Sequence, residues 1–111
     1  MALYMAQLAY TSDAWAAQIK NPQNRVETVA RAACEAAGGK LVGGWLCTGE
    51  YDAVFIFDLP DLESSAAIAM AVSAGGACKA WKTTPLISGT QGVEVMKKAA
   101  VVAKGYRPPA E

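Results

Sequence analysis

Two apolar segments that are separated by only two residues constrain the fold of this chain more than any other feature. The segments are residues 40–48 (KLVGGWLCT) and residues 51–59 (YDAVFIFDL), and Gly49-Glu50 lies between them. A two-residue connection that begins with glycine is typical of a tight β-hairpin. The sequence therefore predicts two antiparallel strands joined at Gly49.

The predicted hairpin carries large apolar side chains on both of its faces. The two-residue turn places Trp45 opposite Val54, and Cys47 opposite Asp52, on one face. The other face carries Tyr51, Ala53, Phe55 and Phe57. Helices of the same chain can cover one face, so the second face needs cover from outside the monomer. We therefore expect a homodimer or a higher homo-oligomer.

The sequence predicts one further strand at each end of the domain. Residues 2–10 contain β-forming residues without Gly or Pro, and both alternating sets of side chains are largely apolar. Residues 77–86 are the last strand candidate, with Pro85 at the margin because proline donates no hydrogen bond to a strand ladder. Together with the hairpin, these segments make four strands.

Two helical segments are predicted between the first strand and the hairpin. Ser12 is expected to cap the first of them. Asn21-Pro22 then either kinks this helix or divides it, with Asn21 capping the new segment. A helical pattern of apolar residues begins at Arg25, and Gly38-Gly39 is expected to end it with a left-handed C-terminal cap.

Two more helices are predicted after the hairpin. Asp61 is expected to cap a helix that runs to Gly75-Gly76, and Ser88 and Gln91 match a capping box. The inward side of this final helix is expected to carry Val93, Met96, Ala100 and Val101. The order of elements predicts an α+β fold, a ferredoxin-like βαββαβ sheet followed by a C-terminal helix.

Composition removes several classes of function. The 111 residues, 53% of them apolar, fit one compact domain. Ten Lys and Arg balance ten Asp and Glu, so the counterion release that drives nucleic-acid binding is missing and we expect no nucleic-acid partner. The chain has no histidine, the commonest general base near neutral pH and a common ligand of zinc and haem. We expect neither a metal site nor a cofactor.

The cysteines and the apolar runs bear on where the protein resides. The chain has three cysteines, Cys34, Cys47 and Cys78, which is an odd number, and none of them has Cys-x-x-Cys spacing. This pattern fits reduced thiols in the cytoplasm. The N-terminal segment does not have the pattern of a signal peptide. No apolar run approaches the roughly 20 residues that span a bilayer, so we expect no membrane association.

The sequence also resembles a known family. Gly49, Tyr51 and Asp52 form a Gly-x-Tyr-Asp motif, followed by apolar residues and Pro60-Asp61, and this pattern is similar to that of the GYD family. The similarity extends to the segments YTSDAW, IKNPQNR, KTTPL and YRPP, and so to almost the whole chain. The resemblance implies a dimeric alpha+beta barrel in which two ferredoxin-like monomers press their sheets together. Residues 1–105 would form this domain, and residues 106–111 a short tail.

Tyr51-Asp52 is the most specific local feature, and two interpretations of it are open. In the structural one, the Asp52 carboxylate accepts backbone hydrogen bonds beside the turn. In the functional one, Asp52 is a catalytic residue that takes a proton from a substrate. Adjacent strand residues point to opposite faces, so Tyr51 and Asp52 are not expected to act on the same atom.

Aromatic and polar residues predict a site for a small, mainly apolar molecule between the sheet and the helices. Trp45 and Trp81 would shape this site, and Gln7 or Thr83 would orient the ligand. Ordinary core and interface packing explains the same aromatic residues. Arg25 either binds a ligand carboxylate or faces solvent.

Two functions from different classes follow. The first is a homodimer that binds a small apolar molecule and can support cofactor-independent chemistry. The alternative is a non-enzymatic homo-oligomeric assembly or protein-interaction module, in which the same apolar residues fill an interface.

Overall fold

The computed structural model describes residues 1–110, which form an antiparallel four-stranded sheet and four helices. The strand order β2-β3-β1-β4 is that of a ferredoxin-like fold, which confirms the predicted fold class. The elements in chain order are β1 (Ala2–Tyr10), α1 (Ser12–Lys20), α2 (Arg25–Ala36), β2 (Lys40–Leu46), β3 (Ala53–Leu59), α3 (Leu62–Ala74), β4 (Cys78–Leu86) and α4 (Gly89–Gly105). Glu111, the last residue of the predicted tail, lies outside the described residues.

The β2–β3 hairpin has the predicted register from Gly43 to Leu46, but the pairing shifts by one residue between Leu41 and Gly43, and the strands are shorter than predicted. Trp45 pairs with Val54, and the Cys47 N–H donates to the Asp52 carbonyl oxygen at 2.8 Å. The strands end at Leu46 and Ala53, and beyond them the Asp52 N–H donates to the Leu8 carbonyl oxygen of β1 at 2.8 Å.

Two helix caps differ from those predicted. Thr11, and not Ser12, caps α1: its backbone is extended and its hydroxyl oxygen accepts the Ala14 N–H at 3.2 Å. Ser12 is already helical, so its side chain is one position too late to cap. Asn24, and not Asn21, caps α2, while Asn21 ends α1. The chain therefore forms two short helices here rather than one kinked helix.

The later caps are those that the sequence predicts. Asp61 caps α3 and accepts hydrogen bonds from the Ser64 hydroxyl at 2.7 Å and the Ser64 N–H at 2.9 Å, which lower the pKa of Asp61. The capping box of Ser88 and Gln91 begins α4. Gly38, with φ of +86°, ends α2 in the left-handed conformation.

One face of the sheet, the covered face, packs against α2 and α3. Its buried side chains come from β1 and β3 and pack with Val26, Ala30 and Cys34 of α2 and Ile68 of α3. Burial of Cys34, which is 0% exposed, raises the pKa of its thiol. The strand residues of this core are Tyr4, Ala6, Leu8, Ala53, Phe55, Phe57 and Leu59.

The opposite side of the sheet, the open face, is not covered by any helix of the chain in residues 1–110. Strand pairing places Met5 beside Ile56 and Gln7 beside Val54, with Trp45 on the far side of Val54. None of these side chains is fully buried, and Trp45 is 54% exposed. The open face carries Leu3, Met5, Gln7, Trp45, Val54, Ile56, Lys82 and Thr84, with Lys40, Asp58 and Leu86 at the end beside Leu3.

Two glycines allow segments of the domain to approach one another closely. A Cβ on Gly44 would lie 3.1 Å from both Phe55 and Val26, so this glycine lets α2 pack against the sheet. A Cβ on Gly39 would overlap the carbonyl oxygen of Asp58. At Gly39 the obstacle is backbone, which cannot move aside without disturbing the sheet.

The final helix, α4, projects from the domain instead of packing on it. The prediction that Val93, Met96, Ala100 and Val101 face inward is wrong: no residue of α4 is buried, and Val101 is 68% exposed. The physical reason is that α2 and α3 already occupy the covered face. The described chain is consequently elongated, 58 × 33 × 22 Å, with a radius of gyration of 17.6 Å against about 13 Å for a compact domain of this length. No helix within residues 1–110 has the length and apolar character needed to cross a membrane.

Candidate functional site

An apolar cavity of about 90 Å³ lies between the covered face and the helices α2 and α3. Three aromatic rings form its floor: Phe55 stacks on Phe57 with centroids 5.8 Å apart, and on Trp81 with centroids 6.4 Å apart. The volume corresponds to about three water molecules of roughly 30 Å³ each, enough for a short alkyl group. The helices supply its other walls with Val29, Ala30, Ala33, Ile68 and Val72.

A second cleft, of about 310 Å³, adjoins the cavity and has more polar side chains in its lining. Tyr10, Arg25 and Ala77 line both spaces, and these three shared residues are the mouth of the cavity. The remaining walls of the cleft are Ala14, Ala17, Gln18, Asn21 and Gln23. A molecule bound at this mouth therefore has the apolar cavity on one side and the amide side chains of Gln18, Asn21 and Gln23 on the other.

The charges of Arg25 and Asp52 act in opposite directions on the Tyr10 phenol at the mouth. The Tyr10 ring packs edge-on against Trp15 with centroids 5.1 Å apart. Burial raises the pKa of the Tyr10 phenol, and the positive charge of Arg25 partly offsets this effect. Because Arg25 lowers this pKa, its charge must lie close enough to the phenol to interact with it.

Asp52 lies beside this site but lines neither the cavity nor the cleft. Its Oδ2 accepts the backbone N–H of Tyr10 at 2.9 Å and the indole N–H of Trp15 at 3.3 Å. These bonds connect the start of β3 to the end of β1 and to α1. The geometry gives Asp52 the structural role expected beside a turn, and its catalytic role stays a prediction.

Trp81 and Thr83 lie together on the covered face, as neighbours on β4. The Trp81 indole N–H donates to the Thr83 hydroxyl oxygen at 2.9 Å. Trp81 lines the cavity, whereas Thr83 does not. Thr83 therefore contributes by fixing the orientation of the Trp81 ring.

Gln7 and Trp45 lie on the open face, which the sheet separates from the cavity. They flank Val54 from the two neighbouring strands. The five predicted site residues thus do not converge: Trp81 and Thr83 adjoin the cavity, Gln7 and Trp45 point away from it, and Asp52 supports its mouth. The sequence placed Phe55 and Phe57 on one face but gave no sign that Val29, Ile68 or Val72 would form a cavity wall.

Comparisons with known proteins match this architecture. The family model of the GYD domain matches residues 4–98. The chain is similar to MtbAldR, at 17% identity and a TM-score of 0.56 over 78% of this chain and 52% of that one, so it spans about half of MtbAldR. No protein in the set of curated proteins matches the chain.

Two further solved structures are matched over nearly their whole length. A protein from Thermus thermophilus, TTHA0845, has a TM-score of 0.52 at 16% identity, over 80% of this chain and 96% of that one. A hypothetical protein from Pyrococcus horikoshii has a TM-score of 0.52 at 10% identity, over 79% of this chain and 92% of that one. At these identities the structural similarities establish the fold alone. The match of the family model over residues 4–98 shows that the chain belongs to the GYD domain family.

Proposed function

We propose that this protein is a homodimer in which each copy binds a small, mainly apolar molecule in the cavity between the sheet and the helices α2 and α3. The observation that supports binding most is the cavity itself, with its floor of Phe55, Phe57 and Trp81 and its mouth at Arg25. Ligand sites are typically concave and mainly apolar, with a few polar groups that orient the ligand. The proposal contains no chemical step, because the Asp52 carboxylate is hydrogen-bonded outside the cavity.

The open face supports the homodimer. Met5, Val54 and Ile56 form the centre of this face, and the helices of the chain lie on the other side of the sheet. A second copy that presents the same face would bury these side chains about a two-fold axis.

The cytoplasm, a reducing compartment, suits the three cysteines, which are unpaired within residues 1–110.

A titration with 1-butanol, followed by NMR of the backbone amides and the Trp81 indole N–H, tests ligand binding. We expect saturable shifts at Trp81 and Phe55. Ala33→Leu should abolish them, because Ala33 lines the cavity and a leucine side chain would fill it. Ala32→Leu is the matched control, since Ala32 is exposed on the same helix and does not line the cavity. Shifts that persist unchanged in Ala33→Leu would contradict the proposal.

One observation favours a second candidate, a homo-oligomeric assembly module. At 100° per residue, α4 has one apolar side that includes Val95, Ala99 and Val102, and one polar side with Glu94 and Lys97. The apolar side contacts no other helix or strand to any substantial extent. The apolar residues Val95, Ala99 and Val102 follow one another at spacings of four and three residues, as in paired helices. A second copy of α4 could therefore cover this side.

Two exposed valines of α4 distinguish this second candidate. Val102 lies on the apolar side, and Val101 lies on the polar side, with exposures of 65% and 68%. Assembly through α4 predicts that Val102→Glu lowers the molar mass measured by light scattering, whereas Val101→Glu does not. Equal masses for both variants and the unaltered protein would contradict assembly through this helix.

A further inference from the structure

The mouth of the cavity combines a single positive charge with an apolar interior. Arg25 is the only charged residue among those that line the cavity and the cleft, as far as residues 1–110 show. The other polar groups of the cleft, from Gln18, Asn21 and Gln23, are neutral. A ligand that occupies both spaces therefore meets one cation where the polar and apolar walls join.

The protein's own acidic side chains leave Arg25 available to a ligand. Its nearest acidic neighbour along α2, Glu27, instead pairs with Arg31, with Nη2 and Oε2 3.8 Å apart. Within the described part of the chain, the second ion pair joins Glu94 and Lys97, far along the sequence. The guanidinium of Arg25 thus has no carboxylate partner within 4 Å in residues 1–110.

The N-terminal end of α2 and the phenol of Tyr10 both favour an anion beside Arg25. Arg25 is the first residue of α2, so it lies at the positive end of a twelve-residue helix dipole. The phenol of Tyr10, on the same mouth, offers a hydroxyl donor. A guanidinium binds a planar carboxylate through two parallel hydrogen bonds. A phosphate group would carry more negative charge than this single cation balances.

We propose that the ligand of this site is a small carboxylic acid with a short apolar chain. Its carboxylate lies at the mouth and accepts hydrogen bonds from Arg25 and Tyr10, and its chain lies on the rings of Phe55 and Trp81. This inference rests on the proposed function, because it names the class of molecule that the cavity binds. It assigns Arg25 and Tyr10 as the residues that determine specificity.

Affinity measurements with matched probes test the proposal on the full chain. We expect butanoate to bind roughly three- to fivefold more tightly than butanamide, since Arg25 is exposed and exposed ion pairs contribute modestly. Arg25→Gln should remove this preference, so that butanoate and butanamide bind with similar affinities. Arg31→Gln makes the same change on a different side of α2 and should leave the preference intact. Tyr10→Phe should weaken butanoate binding roughly threefold.

Four other outcomes would overturn the proposal. Equal affinities for butanoate and butanamide would refute carboxylate recognition while leaving ligand binding in the cavity standing. Butyl phosphate binding more tightly than butanoate would refute the assignment of the head group. Acetate binding as tightly as butanoate would refute the placement of the chain. If neither butanoate nor butanamide shifts the Trp81 indole resonance, the proposed function fails together with this inference.

Discussion

The carboxylate of Asp52 accepts a hydrogen bond from the backbone N–H of Tyr10, 42 residues earlier in the chain, at 2.9 Å. The same oxygen accepts the Trp15 indole N–H. The aspartate of the Gly-x-Tyr-Asp motif therefore joins the hairpin to β1 and α1. Through Tyr10 it also supports the mouth of the cavity.

Removal of this carboxylate should destabilise the fold. We expect Asp52→Ala to lower the free energy of unfolding by about 1–3 kcal/mol, because it leaves the half-buried Tyr10 N–H without an acceptor. Asp52→Asn should cost less, since its amide oxygen can still accept both hydrogen bonds, although without the negative charge. Urea unfolding at neutral pH measures both losses. Equal stability of Asp52→Ala and the unaltered protein would show that the bond is energetically unimportant.

Gly39 should be the glycine that tolerates substitution least. Because a Cβ at this position would overlap the Asp58 carbonyl oxygen, we expect Gly39→Ala to cost about 1–3 kcal/mol of unfolding free energy. Gly92→Ala is the control: a Cβ there meets no atom within 4 Å. Thermal unfolding of the two variants, followed by circular dichroism, checks the difference. A similar midpoint for both variants would contradict the close approach at Gly39.

The charge of Arg25 should be detectable in the titration of Tyr10. Arg25 lowers a pKa that burial raises, so Arg25→Gln should shift the pKa of the Tyr10 phenol further upward from its ordinary value of 10.0. NMR of the tyrosine ring carbons as a function of pH measures this shift. An unchanged or lowered pKa in Arg25→Gln would place the guanidinium away from the phenol.

The raised pKa of Tyr10 also sets the sign of a stability change. In the unfolded chain the phenol loses its proton near pH 10, whereas in the folded chain it loses it at a higher pH. The contribution of neutral Tyr10 to stability is therefore fully present below pH 10 and declines as the pH rises above that value. Tyr10→Phe should reduce this decline in urea unfolding between pH 9 and pH 11.

The homodimer proposed through the open face predicts a change in molar mass. Ile56 lies at the centre of that face, beside Met5 of β1. We expect Ile56→Lys to convert a dimer to a folded monomer in light-scattering measurements, because a charged lysine is strongly unfavourable at the apolar centre of an interface. Glu35→Lys, on the exposed side of α2, should leave the dimer intact. A monomeric unaltered protein at micromolar concentration would contradict the dimer.

Local sequence signals were sufficient to predict the order of the elements and much of their detail. The glycine-first turn at Gly49 predicted the hairpin register as far as Gly43, and Asp61 and Ser88 marked two helix starts, because each of these signals acts within a few residues. The prediction that Ser12 caps α1 was wrong because Thr11 and Ser12 are both cap-forming residues. The sequence does not show which of the two becomes helical.

The division of the candidate site between two faces depended on long-range contacts. In residues 2–10 both alternating sets of side chains are largely apolar, so the sequence does not show which set the helices cover. Gln7 could be assigned to the open face only once its pairing with Val54 was known. The position of α4 could not be predicted from the sequence either, because an apolar side of a helix suits both packing in the core and contact with another protein.

The place of the ligand in the cavity on the covered face can be measured by intermolecular nuclear Overhauser effects from the terminal methyl group of bound 1-butanol. We expect contacts from this methyl group to Phe55, Trp81 and Ile68. Contacts to Trp45 and Val54 of the open face, or to Val95 and Val102 of α4, would contradict this placement.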